Sequence, residues 1–175
     1  MNSLLIIDIE CTCWEDKSGV HEVIQVGKCI LDGKENIVSG EYVRPTTTKI
    51  SPYCTNLTGI KESDVENART FRQVCDDLRE IKLPWASWGN FDRIIFERQC
   101  RDEGIEYPLY RTHLNLKHLF SLVYNTKEKG TNKALKYLGL DFIGTPHNAI
   151  DDTFNIARIA ELMIKRMQNV QSLNS

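Results

Sequence analysis

With 175 residues, 41% of them hydrophobic, the chain can bury one full core and reads as a single α/β domain over 1–175. A net charge of −2 and a pI near 6.1 exclude a protein that coats long nucleic acid, since that affinity grows with the number of phosphates neutralised. No run approaches the ~20 apolar residues of a membrane span, and the N-terminal apolar run is too short for a signal peptide. A cytoplasmic protein with no membrane partner is therefore expected.

Leu4, Leu5, Ile6 and Ile7 form an apolar run short enough for a fully buried strand. Side chains two apart on a strand share a face, so Asp8 and Glu10 leave the buried segment side by side. Carboxylates held that close repel each other, and a divalent cation reverses the local charge. The plain alternative is an acidic strand end facing solvent. Residues 21–31 and 36–44 are β-rich runs joined at Asp32-Gly33, a hairpin signal, which makes a three-stranded meander with the first run. Residues 45–67, with Pro45, Pro52 and Gly59, read as a long loop carrying Leu57-Thr58-Gly59-Ile60.

An amphipathic helix is predicted over 70–81, and a short strand over 85–88, parallel to the first. Asn90 can cap a helix running to about residue 103. Asp92 would sit in its first turn, where the helix dipole already favours a carboxylate. Residues 114–124 and 132–138 look helical, with Gly139 ending the second. In the last helix, from 149 to 166, Ala149, Thr153, Ile156, Ala160, Met163 and Met167 recur at the spacing of one face. Asn148 is its natural N-cap, and Asp151 a capping-box partner. His147 and Asp152 then occupy the two positions that a staple brings into contact. Asp151 has a structural task in this register, and Asp152 is free for a metal; a solvated loop is the alternative.

Cysteines 11, 13, 29, 54, 75 and 100 are scattered, without a Cys-x-x-Cys pair or histidines at zinc-finger spacing, and read as reduced thiols. A catalytic thiol at Cys11 or Cys13 is disfavoured because no histidine stands beside them in the sequence. Lys127, Lys129, Lys133 and Lys136 make the densest basic cluster. It is either a solvated helix face or a lining for an incoming strand.

The combination is more specific than its parts. Asp8-Ile9-Glu10, Asp92 before a helix, and His147 with four residues before Asp152 resemble the DEDDh 3′-to-5′ exonucleases. Ile7-Asp8-Ile9-Glu10-Cys11-Thr12-Cys13 and Leu57-Thr58-Gly59-Ile60 look most like the Eri and histone-mRNA exonuclease branch of that family. The resemblance spans nearly the whole chain. It implies an RNase H-like fold, with a mixed five-stranded central sheet flanked by helices.

It also implies that Asp8, Glu10, Asp92 and Asp152 hold two Mg²⁺ or Mn²⁺ ions. His147 would be the general base, as an unperturbed imidazole titrates near pH ~6.5. The substrate would be the 3′ end of a single-stranded nucleic acid, RNA ahead of DNA, and the product a nucleoside 5′-monophosphate. Leu57 and Thr58 match the segment that packs on the terminal nucleotide; Phe91, Cys11 and Thr12 are candidate contacts to its base and sugar. Trp14 is a candidate for stacking on a base, or else a half-buried hydrophobe under the next loop. A DNA- or dinucleotide-directed exonuclease, or a non-catalytic RNA-binding adaptor, are the alternative readings.

Overall fold

The computed structural model describes residues 3–16, 18–33 and 36–172, with the side chains of 170–172 outside the description. The chain opens with β1 (Leu4–Cys11), β2 (Val23–Leu31) and β3 (Ile37–Arg44), the predicted meander. Two short helices follow, α1 (Pro52–Thr58) and α2 (Glu62–Val65), then β4 (Arg69–Thr70) and α3 (Phe71–Glu80). Next come β5 (Trp85–Ser87), α4 (Phe91–Asp102), β6 (His113–Asn115), α5 (Leu116–Val123), α6 (Thr131–Tyr137) and α7 (Ala149–Ser172). Among the described residues no helix is long and apolar enough to cross a membrane.

The strands form one mixed sheet in the order β4-β3-β2-β1-β5-β6. It has six strands rather than five: the four segments read as strands from the sequence, plus a two-residue strand and a three-residue strand at its edges. Such short strands carry no readable alternation, and residues 114 and 115, expected to begin a helix, belong to β6. β1 takes the centre, paired antiparallel with β2 and parallel with β5. A central strand is covered on both faces, which is why its sequence is a continuous apolar run. Leu5, Ile7 and Ile9 point toward α3 and α4, packing with Phe71, Val74, Trp85 and Phe96. Ile6 points the other way, into a cluster with Phe120 of α5, Leu135 of α6 and Ile156, Ala157 and Ala160 of α7.

The predicted face of α7 is buried at Ala149, Thr153, Ile156, Ala160 and Met163; Met167, near its far end, is exposed. In α3, buried Phe71, Val74, Cys75 and Leu78 keep the helical spacing, and Thr70 and Gln73 close a capping box. Residues 45–67 depart from expectation, since they contain two helices. The Ser51 hydroxyl accepts the Cys54 N–H, Pro52 opens the first turn, and Gly59 ends the helix with φ at +78°. Those are ordinary start and stop signals. Seven residues are too few for a periodic pattern, so prolines that begin a helix read as turn markers.

Candidate active site

Strand alternation puts Ile6, Asp8 and Glu10 on the α7 side of β1. Asp8 lies opposite Gly27 of β2, which lies opposite Gly40 of β3; Glu10 lies opposite Gln25. This row of two glycines is the seat for the start of α7. A Cβ built on Gly27 would stand 2.0 Å from the Ala149 carbonyl oxygen, and one on Gly40 would stand 2.4 Å from Ile150 Cγ1. Gln25, buried beside them, accepts the Ala149 N–H through Oε1 at 2.9 Å. The helix start is thus pressed onto the strand that carries Asp8 and Glu10. Neither Gly27, Gly40 nor Gln25 was singled out from the sequence. The available signal was a glycine in the interior of each β-run, which marks close backbone approach.

The consequence is a knot of acids. One carboxylate oxygen from each of Asp8, Glu10 and Asp152 lies within 4.8 Å of the others. Asp92, in the first turn of α4, reaches the backbone of β1, where its Oδ1 accepts the Ile9 N–H at 3.2 Å. The four groups feel each other. Burial raises the Asp8 carboxyl well above its ordinary range, with Asp92, Asp152 and Glu10 adding to the shift. Burial, then Asp152 and Asp92, push Glu10 up to about 8. Burial takes Asp92 to about 6, although the Ile9 N–H and the Ser87 hydroxyl hold it down. Asp152 is raised too, again by burial first. Four acids that resist ionisation in one place lack positive charge, and hard oxygen donors suit a divalent cation.

The helix start keeps the predicted register with one change. Asn148 Oδ1 accepts the N–H groups of Ile150 and Asp151, as a cap should. Asp151, however, does not complete a capping box: its Oδ2 accepts the Thr145 N–H, tying down the loop before the cap. His147 and Asp152 are in contact, but through the His147 backbone N–H, which donates to Asp152 Oδ2 at 2.8 Å. The imidazole is exposed and lines a groove of about 350 Å³ with Asp152, Pro146 and residues 130–133. This geometry requires a left-handed backbone at His147, with φ at +63°. At the other helix, Asn90 stands at the N-cap of α4 but makes no capping bond. Its side chain accepts from Asn115 instead, at 3.3 Å.

The candidate substrate contacts divide into exposed and buried groups. Leu57 and Phe91 are exposed, and Trp14 is half-buried. Phe91 and Trp14 flank His21, their rings 6.0 and 6.3 Å from its imidazole, so the three form an aromatic row; His21 was not anticipated. Thr58 is buried, its hydroxyl donating to Cys54 O inside α1. Cys11 is buried, at a bulge that ends the pairing with β2. Thr12 is a buried hub that accepts from Glu22 N–H and Thr48 Oγ1. Glu22 in turn accepts from the amides and hydroxyls of Thr46, Thr47 and Thr48, which lowers its pKa despite burial. All six cysteines are free thiols. Burial pushes Cys11 up and takes Cys13 to about 12, the wrong direction for nucleophiles.

An RNase H-like sheet with an acid cluster at its centre defines a class, the metal-dependent nucleases. The comparison with protein families narrows it: the family described as Exonuclease, of the RNase T type, matches residues 5–160. The chain belongs to that family. It is 32% identical over 182 residues to human 3′-5′ exoribonuclease 1, covering 93% of this chain and 52% of that protein. It is 29% identical over 195 residues to ERI1 exoribonuclease 2 of Xenopus laevis, covering 92% of this chain and 28% of that protein. The chain therefore spans about half the length, or less, of these relatives. Among solved structures, the nuclease domain of 3′hExo, a DEDDh family member bound to rAMP, superposes with a TM-score of 0.86. It shares 30% identity, over 94% of this chain and 92% of that one.

Proposed function

We propose that residues 1–175 act as one metal-dependent 3′-to-5′ exonuclease unit that removes nucleoside 5′-monophosphates from the 3′ end of single-stranded nucleic acid, RNA in preference to DNA. The observation that carries the reading is the set of four mutually repelling carboxylates, Asp8, Glu10, Asp92 and Asp152. The names of the relatives and the rAMP held by the 3′hExo nuclease domain support RNA as substrate. Six free cysteines suit a reducing compartment such as the cytosol.

The four acids would hold two Mg²⁺ or Mn²⁺ ions, which when bound supply charge neutralisation at the scissile phosphodiester and an acidified water. The chain supplies the rest. His147, exposed on the groove it shares with Asp152, takes the proton of the attacking water on its imidazole. Its backbone N–H fixes the Asp152 carboxylate, and its ring is exposed on the groove. Asp92 is fixed by the Ile9 N–H, so two of the four acids are oriented by backbone. Leu57, Phe91 and Trp14 offer apolar surface to the terminal nucleoside, with base stacking worth about 1–3 kcal/mol. Thr58, Cys11 and Thr12 contribute as the buried support of that wall, and through backbone groups.

The test is degradation of 3′-labelled and 5′-labelled RNA and DNA oligonucleotides in Mg²⁺ and in EDTA. Loss of the 3′ label as mononucleotide, in Mg²⁺ alone and faster on RNA, is the expected result. Equal hydrolysis in chelator would exclude the metal reading, shortening from the 5′ end would exclude the polarity, and binding without cleavage would make the chain an adaptor.

A further inference from the structure

The basic cluster at 127–136 does not behave as one face. Lys129 lies over the Tyr137 ring, its Nζ 5.3 Å from the centroid. Lys127 and Lys136 are exposed and lie outside the groove that holds His147. Lys133 alone of the four lines that groove, with Thr131 and Asn132, across from His147 and Asp152. Among the described residues, the side chains of Thr131, Asn132 and Lys133 make no hydrogen bond or ion pair. The groove thus has one wall of acid and imidazole and one wall of three successive unpartnered donors, a hydroxyl, an amide and an ammonium. The donor wall is held in place, since the Trp88 indole N–H donates to Lys129 O at 2.9 Å and Ala134 and Leu135 are buried in the core.

We infer that Lys133, with Thr131 and Asn132 beside it, binds the phosphate one step 5′ of the scissile one, so that the site selects substrates with at least two phosphates. The inference rests on the exonuclease reading. Among the described residues Lys133 makes no ion pair, with Asp152 or any other acid, although both line one groove, so its ammonium does not compete for the acids that would hold metal. A free cation on the same groove as Asp152 is suited to the next charge along a strand whose scissile phosphate lies at the carboxylates. An unpaired ammonium in a half-open groove also costs little desolvation until a phosphate arrives, which then gains a charge-assisted hydrogen bond.

The experiment is a cycle in which charge is removed from either partner. Steady-state kinetics are measured on the full chain with a single-stranded trinucleotide, and on its analogue with a neutral methylphosphonate at the linkage one step 5′ of the terminal one. Wild type and Lys133→Ala are compared, with Lys127→Ala as a control outside the groove. For wild type, the neutral linkage should raise KM about 5- to 10-fold with kcat held. Lys133→Ala should raise KM on the charged substrate by a similar factor, and the neutral linkage should then add nothing further. The slope of log KM against log salt should fall by about 0.7 in Lys133→Ala, the share of one phosphate on a single strand. Independent, multiplying effects of the two changes, or a Lys133→Ala enzyme indistinguishable from wild type, would overturn the inference while leaving the exonuclease intact. A wild-type chain that cleaves neither substrate would instead overturn the reading beneath it.

Discussion

Replacing Gly27 by alanine adds one methyl group at the point where α7 meets the sheet. Its carbon would start 2.0 Å from Ala149 O, 2.5 Å from Ala149 C and 2.5 Å from Thr153 Oγ1. Two of these are backbone atoms, so no side chain can swing aside. Ordinary contact begins at 3.4 Å, and the helix start must therefore retreat by about 1.4 Å. A move of that size breaks the 2.9 Å bond from Ala149 N–H to Gln25 and carries Asp152 away from Asp8 and Glu10. Overpacking costs roughly 1–3 kcal/mol and the lost hydrogen bond about 1 more. Turnover should drop further than stability suggests, about 10²-fold, because a 1 Å misplacement of reacting groups is worth roughly that much. Urea denaturation gives the first number and 3′-end hydrolysis at saturating Mg²⁺ the second. An alanine variant as stable and as active as the parent would show that the glycine seat does not set the acid cluster.

His147→Ala should lower kcat by about 10² to 10⁴ with Mg²⁺ affinity nearly unchanged, as calorimetric titration of the metal would show; near-parental turnover would make the histidine a bystander. Without divalent metal, the fold should lose stability as pH rises. The folded Glu10 titrates at about 8 against an ordinary 4.5, so its contribution is complete below 4.5 and disappears as pH climbs through 8. Melting in EDTA from pH 5 to 9 should show this decline, on the order of 1–3 kcal/mol after discounting for solvent, and Glu10→Gln should flatten it. A parental Tm that stays level over that range would contradict the repulsion described for the four acids. Asp151→Ala should cost about 1 kcal/mol through the freed Thr145 amide, leaving kcat within a few-fold, and a loss of activity matching that of Asp152→Ala would place Asp151 among the metal ligands.

What could be read in advance was what has a period or a cap. The central strand announced Asp8 and Glu10 by apolar continuity and alternation, and α7 announced His147 and Asp152 by its buried stripe and Asn148. Asp92 was legible only in combination, because a carboxylate in a first turn has its own local reason to be there. Three things escaped. The short edge strands β4 and β6 and the helix α1 contain too few residues for a pattern. The glycine seat depends on the register between three strands, which no single segment encodes. The contact between His147 and Asp152 runs through a backbone N–H and a left-handed φ, whereas spacing speaks only of side chains coming together.

That left-handed residue has a consequence for engineering. A histidine at φ +63° holds an unfavourable backbone conformation, of order 1 kcal/mol, that glycine would adopt freely, and its exposed ring gives little packing in return. Thermostability screens would therefore reward His147→Gly, which keeps the amide that binds Asp152 and discards the imidazole. With the proposed general-base role, a library ranked by melting temperature alone would select against turnover at this position, so Tm and 3′-end hydrolysis should be scored together there.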